Sequence, residues 1–248
     1  MRRVGRGEHA VLCLHGWFGS AHGWGYLPEV VDTEAFTYLF PEMRGYGARR
    51  ALAGDFTMWE YATDALAAAD EAGLERFSVL GHSMGGKAAT VVAAQAPERV
   101  RALVGVSAVW PGATPMPPPQ QELFHGAATD PGKRYGIIDA TTGNRLSPHW
   151  IRAMVEDSLA RSTAQAVAGA MRSWTGDDLL ERIGTIEVPT LLVCGGDDPG
   201  LSAEQARRTW PAIAPKVRVV EIPGVGHYAA HEAPLALVSE VESFLLAH

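Results

Sequence analysis

The 248-residue sequence contains only two cysteines, Cys13 and Cys194, so no disulfide framework can staple it. Both lie in apolar runs that read as buried strands, where a free thiol behaves as a small hydrophobe. No stretch approaches the roughly 18 consecutive apolar residues of a membrane span. The opening residues Met1–Ala10 are basic but lack an apolar h-region, so they do not read as a signal peptide. There is no basic block either. The formal charge is −7, which makes a nucleic-acid or anionic-membrane partner a poor fit. The expected setting is soluble, reducing and cytoplasmic. Apolar residues make up 47% and charged residues 20%, ordinary globular usage for one domain or a domain with an insertion.

Short apolar runs alternate with helical patterns. Val11–Leu14, Phe36–Phe40, Phe77–Leu80, Val100–Val106, Thr190–Cys194 and Val217–Ile222 read as strands. Between Phe56 and Gly73 the pattern is helical, with Thr57 and Glu60 as a capping box and Gly73 as the stop. Met84–Ala96 closes before Pro97 and reads as a helix, as do Ser202–Trp210 (Ser202 and Gln205 as cap pair) and Pro234–Leu246. The rhythm breaks at Trp110–Pro119, which holds five prolines and a glycine. From there to Ile183 only helices are expected. Ser147-Pro148 reads as an N-cap followed by proline at the first helical position, and Ser162 with Gln165 as another capping box. Strand–helix alternation predicts an α/β fold: a mostly parallel sheet with helices on both faces. Residues 1–110 and 184–248 form its core, and 111–183 a helical cap.

The sharpest chemical feature is Gly81-His82-Ser83-Met84-Gly85, a G-x-S-x-G between a predicted strand and a predicted helix. That context lifts the serine hydroxyl clear of the sheet and sets a helix N-terminus beside it. By pattern alone the motif arises by chance in roughly one such chain in ten, so its weight comes from its flanks. A serine nucleophile needs a base, and the base an orienting acid. Of nine histidines, His227 stands in a loop directly after the last strand, where active sites of open sheets collect. His15, His82 and His231 are weaker candidates, His231 opening the closing helix. The acid comes from Asp197 or Asp198 in the loop after Thr190–Cys194. Alternatively, both are plain turn aspartates. The order serine, aspartate, histidine suits one of the known triad folds. Met84 and Trp17 can offer backbone N–H groups to an oxyanion. A zinc site built on His227, His231 and Asp197 lacks the H-E-x-x-H pattern and is disfavoured.

Together these residues resemble the α/β-hydrolase fold family, especially small esterase-like serine hydrolases. The resemblance rests on L-H-G-W at Leu14–Trp17, P-E-M-R-G-Y-G at Pro41–Gly47, G-H-S-M-G-G around Ser83, L-L-V-C-G-G-D-D at Leu191–Asp198 and G-H-Y-A-A-H-E-A-P at Gly226–Pro234. It implies that Asp198 rather than Asp197 is the acid, that Ser83 is acylated, that Trp17 and Met84 donate to the oxyanion, and that no metal or cofactor takes part. The Arg44–Gly47 loop is implied to be structural. The family core opens with a two-stranded antiparallel hairpin. Only ten residues precede Val11, so that hairpin is shortened or absent. The strands bearing Cys13 and Cys194 are implied to lie apart. The leading activity is hydrolysis of small to medium apolar carboxylic esters, with a small-molecule ester as substrate and neither nucleic acid nor membrane as partner. Lactone, thioester and carbon–carbon bond hydrolysis or perhydrolysis use the same triad, and a non-catalytic ligand receptor is a further alternative. His15, Trp110, Met154 and Trp174 are expected to touch substrate, with Trp17, Met116 and Met171 as further apolar candidates.

Overall fold

The computed structural model describes residues 1–248. Its elements in chain order are β1 (Arg2–Gly5), β2 (His9–Leu14), α1 (Leu27–Val30), β3 (Phe36–Phe40), α2 (Met58–Glu71), β4 (Phe77–His82), α3 (Met84–Gln95) and β5 (Val100–Val106). Five helices follow: α4 (Pro118–Gly126), α5 (Pro131–Thr141), α6 (Pro148–Arg161), α7 (Ala164–Gly176) and α8 (Leu180–Ile183). The chain then returns through β6 (Thr190–Gly195), α9 (Ala203–Thr209), β7 (Val217–Ile222), α10 (Ala229–Glu232) and α11 (Pro234–Leu246).

The seven strands form one sheet in the order β1-β3-β2-β4-β5-β6-β7. All neighbours are parallel except β1, which runs antiparallel to β3 with Arg2 opposite Phe40. The opening hairpin is thus reduced to a single edge strand. Sequence pattern missed β1 because its four residues, RRVG, carry little apolar alternation. Pairing with β3 supplies what propensity does not. The inner strands β2 to β6 are buried on both faces, and their alternate residues divide between two cores. Leu12, Leu14, Val79 and Leu103 face α2, α3 and the helical insert. Val11, Cys13, Leu80 and Val104 face the opposite layer, which includes α11. Cys13 on β2 and Cys194 on β6 are separate, free and buried.

Local chemistry sets the helix ends. Thr57 Oγ1 accepts from Glu60 N (3.1 Å) while Glu60 Oε2 accepts from Thr57 N (3.1 Å), closing the capping box of α2. Gly73 follows α2 at φ +69°, a left-handed value that suits glycine. Ser147 caps α6, with Pro148 in its first turn. One cap shifts by a residue. Thr163, not Ser162, caps α7, accepting from Ala166 N at 3.1 Å. Ser162 instead closes α6, and its hydroxyl donates back to Ser158 O (2.6 Å). His231 also lies earlier than expected, in α10 and not in the closing helix.

The helical insert is fastened to the sheet by polar contacts as well as apolar ones. Gly45 O, in the loop after β3, accepts from Thr163 N at the start of α7 (3.1 Å), and the neighbouring Arg44 ties that loop to α2 through Asp64 (2.7 Å) and Glu60 (2.8 Å). Gly45 has φ +81°, and a Cβ there would lie 2.2 Å from Ala166 Cβ. Lys87 on α3 is fully buried. Its ammonium donates to the carbonyls of Gly112 (3.1 Å), Trp174 (3.2 Å) and Asp177 (2.6 Å), at both ends of the insert. Burial pulls this ammonium down to about 8.

Several histidines are buried as neutral rings. Burial and the nearby Arg101 pull His9 down to about 4, and burial, aided by His227, pulls His82 down to about 3. Burial also lowers His15 and His231. In the unfolded chain these groups titrate near pH ~6.5, so below that value unfolding takes up protons that the fold refuses. Stability is therefore fullest above pH ~6.5 and declines as pH falls toward ~4. Urea unfolding should show a lower midpoint at about pH 5 than at about pH 7, and His9→Gln should flatten that dependence. Equal midpoints at both pH values would contradict the buried-neutral assignment.

Candidate active site

Ser83 occupies the single residue between β4 and α3, at φ 56° and ψ −121°. A non-glycine residue there is strained by roughly 1–3 kcal/mol. Three backbone contacts hold it. Its N–H donates to Val106 O (3.0 Å), and its carbonyl accepts from Gly86 N (2.9 Å) and Val109 N (3.0 Å). The glycines of the motif are needed for space. A Cβ on Gly81 would lie 2.2 Å from Gly85 O, and one on Gly85 would lie 2.2 Å from Leu14 O. The ends of β2 and β4 and the first turn of α3 therefore meet backbone to backbone. Met84 opens α3, so its N–H has no intrahelical acceptor.

Facing this turn are two loops at the same end of the sheet. Asp198 follows β6 and His227 follows β7. Asp198 Oδ2 lies 2.7 Å from His227 Nδ1, with both side chains largely buried. Asp198 Oδ1 accepts from Gly200 N (3.0 Å) and Leu201 N (3.2 Å). Burial alone would raise this carboxyl. The His227 ring and the hydrogen bonds from His227, Gly200 and Leu201 outweigh it and hold Asp198 below the ordinary carboxylate value. Asp197 turns away and pairs with Arg145 at 2.9 Å. The His227 backbone is itself pinned: its N–H donates to Thr141 O (3.0 Å) and its carbonyl lies 2.8 Å from His82 Nε2. With His82 neutral, that nitrogen carries the proton and donates.

Ser83, Asp198 and His227 line one cavity of about 190 Å³. No hydrogen bond joins the Ser83 hydroxyl to the imidazole. Such contacts are often loose without substrate and tighten in the complex. Trp17, in the loop after β2, also lines the cavity, and its backbone N–H has no acceptor within the protein. Trp110, Met154 and Trp174 line it too, with Met116 and Phe124. No lysine, arginine or glutamate does.

His15 does not line the cavity. It is completely buried beneath the loop, its Nδ1 bonded to Gly16 O (2.9 Å) and its Nε2 accepting from Met43 N (3.3 Å). It braces the Trp17 loop instead of lining the cavity. Met171 likewise lies outside it, and His231 packs against Trp150 and Tyr228. Sequence reasoning overlooked Glu232, which accepts from Gly226 N (2.8 Å) and Tyr228 N (3.0 Å) on either side of His227 and pairs with Arg145 (2.8 Å). The available signal was an acidic residue in the first turn of a short helix, placed to reach back to the N-terminal amides.

Comparison with known proteins agrees with this fold. A sequence profile described as the alpha/beta hydrolase fold matches residues 9–160 and 152–234. The chain belongs to the α/β-hydrolase fold family. It is 27% identical over 258 residues to a 2-hydroxy-6-oxononadienedioate/2-hydroxy-6-oxononatrienedioate hydrolase of Cupriavidus pinatubonensis, covering 98% of this chain and 88% of that protein. Among solved structures it resembles an esterase from Exiguobacterium antarcticum, with TM-score 0.87, 21% identity and coverage of 99% of this chain and 94% of that one. It also resembles a thermophilic esterase from Thermogutta terrifontis, with TM-score 0.84, 23% identity and coverage of 99% and 92%. No helix is long and apolar enough to cross a membrane.

The crowding at the turn is testable. Gly85→Ala forces a Cβ against the Leu14 and His15 carbonyls, which should cost about 1–3 kcal/mol and lower the melting temperature by several degrees. An unchanged melting temperature would mean that β2 and α3 are not so closely apposed.

Proposed function

We propose that this protein is a serine hydrolase of neutral carboxylic esters, with Ser83 as nucleophile, His227 as general base and acid, and Asp198 as the orienting carboxylate. The observation that carries this reading is the 2.7 Å Asp198–His227 contact on the wall of the cavity that also holds the strained Ser83. A carboxylate at Nδ1 leaves Nε2 as the ring's free lone pair, directed to the reaction. His227 takes the Ser83 proton as Oγ bonds to the ester carbonyl carbon. The carbonyl π pair moves to oxygen, where the Trp17 and Met84 amides receive it. Each such donor is worth about 3–4 kcal/mol in the transition state. The tetrahedral carbon then expels the alkoxide, which takes the proton from His227 and leaves as alcohol. Water repeats the sequence on the acyl-serine and releases the acid.

Helices α4–α8 act as a cap that roofs the cavity, and Trp110, Met154 and Trp174 supply apolar contacts to the acyl or alcohol group. The absence of lysine or arginine on the walls favours a neutral substrate. The Cupriavidus relative is named for hydrolysis of dioates, whose two carboxylates would find no counter-charge here. A reducing cytoplasmic setting is consistent with two free buried thiols.

Turnover of a p-nitrophenyl ester tests the assignment. Ser83→Ala should abolish multiple turnover. Asp198→Asn should lower kcat by about 10⁴-fold, whereas Asp197→Asn, which loses only its pair with Arg145, should change it by less than about threefold. Binding without turnover in the unaltered protein would make it a receptor. A large loss in Asp197→Asn with none in Asp198→Asn would transfer the carboxylate role.

A further inference from the structure

We propose that Arg134, buried in the cap and outside the cavity lining, is a positioning residue that clamps the oxyanion loop and so holds the Trp17 amide in register. This rests on the hydrolase reading given above. Arg134 lies on α5 and is 1% exposed, yet it makes no ion pair. Its charge is met by neutral oxygens. Nε donates to Ala127 O (3.0 Å) and Nη2 to Ala128 O (3.3 Å). Nη1 donates to Ser158 Oγ (2.8 Å) and Ser162 Oγ (3.4 Å). The two hydroxyls spend their own protons on Val155 O and Ser158 O, which leaves lone pairs for the guanidinium. Ala127 and Ala128 follow α4, at the negative end of that helix's dipole. A guanidinium buried with no carboxylate is expensive to keep, and a hydrophobic replacement would often be more stable.

Its location suggests what the cation does. The guanidinium carbon sits 4.9 Å from the Phe18 ring centroid, a cation–π contact in a dry site. Phe18 stacks on Trp17 at 4.3 Å and 24°. Phe124 of α4 stacks on the same indole at 5.6 Å and 6°. Because Arg134 also holds the end of α4, one side chain braces both rings that stack on the Trp17 indole. The indole Nε1 donates to Val167 O of α7 (2.8 Å), and Trp174 meets the indole edge-on at 5.7 Å. The Trp17 side chain is thus anchored in the cap, while its backbone N–H, unpaired, serves the reaction. Displacing this amide by a fraction of an ångström weakens the charged transition state and leaves ground-state binding almost untouched.

The test separates that role from simple packing. Folded Arg134→Met should lower kcat by about tenfold, short of the roughly hundredfold lost with a whole oxyanion donor, and change KM by less than about threefold. Affinity for an aryl trifluoromethyl ketone should fall in the same ratio as kcat/KM. That probe adds the Ser83 hydroxyl reversibly to its carbonyl carbon, the proton passing to His227, and places an oxyanion at the two amides. Arg134→Lys should restore part of both. A folded Arg134→Met with kcat and ketone affinity within about twofold of the parent would overturn the proposal. So would a rise in KM with kcat held, which would make Arg134 a pocket-shaping residue. If Arg134→Met does not fold, Ser158→Ala removes one guanidinium acceptor away from the cavity. It should lower kcat and ketone affinity together by about threefold, and no change in either overturns the clamp. Failure of the unaltered protein to turn over esters sinks the hydrolase reading and the clamp with it. Normal parental turnover with unmoved variants sinks the clamp alone.

Discussion

Everything at the reactive end of the sheet depends on one crowded junction, where the ends of β2 and β4 and the first turn of α3 meet without side chains between them. Gly81 and Gly85 leave no room for a Cβ, because backbone oxygens lie 2.2 Å from where it would stand. That closeness forces Ser83 into φ 56° and ψ −121°, and hydrogen bonds from Gly86 and Val109 to its carbonyl keep it there. The strain is small beside the stability of the surrounding apolar layers, so the fold can hold the turn permanently. A hydroxyl so placed stands above the strand ends, and the first amide of α3 lies next to it. Parallel strands then bring the β6 and β7 loops to the same rim, and with them Asp198 and His227.

Electrostatics around this rim follow from burial. Asp198 stays ionised because the His227 ring and two backbone amides outweigh its desolvation. His82, next in chain to Ser83, is kept neutral and acts as a donor to the His227 carbonyl. The cavity itself carries no cation, so the field felt by a substrate comes from backbone amides and one carboxylate–imidazole pair. The two buried cations nearby, Lys87 and Arg134, spend their charge on carbonyls and hydroxyls that tie the helical insert together.

Local patterns made most of the sheet and helices legible. Phe36–Phe40, Val100–Val106, Val217–Ile222 and Pro234–Leu246 have the bounds their apolar runs suggest. Most of the misplaced features depend on a partner far away in the chain, and one on a choice between adjacent caps. β1 is a strand only because β3 offers an edge. Ser162 and Thr163 are adjacent hydroxyls, and α6 rather than α7 claims the first. His15 stands after a strand like other site residues, but the Met43 amide and the Gly16 carbonyl take both its nitrogens. Asp197 and Asp198 are neighbours in one loop that the turn sends in different directions, one to Arg145 and one to His227. The bracing of Trp17 by α4, α5 and α7 joins segments more than a hundred residues apart, and no local pattern carries it.

The proposed reaction requires Ser83, His227 and two backbone amides to converge on one reacting atom. The most direct measurement is a diffraction structure of the protein after reaction with diethyl p-nitrophenyl phosphate. Phosphorus should be bonded to Ser83 Oγ, its phosphoryl oxygen about 3 Å from both the Trp17 and Met84 nitrogens, and the His227 ring should still lie against Asp198. Phosphorus on another residue, or a phosphoryl oxygen turned away from both amides, would contradict it.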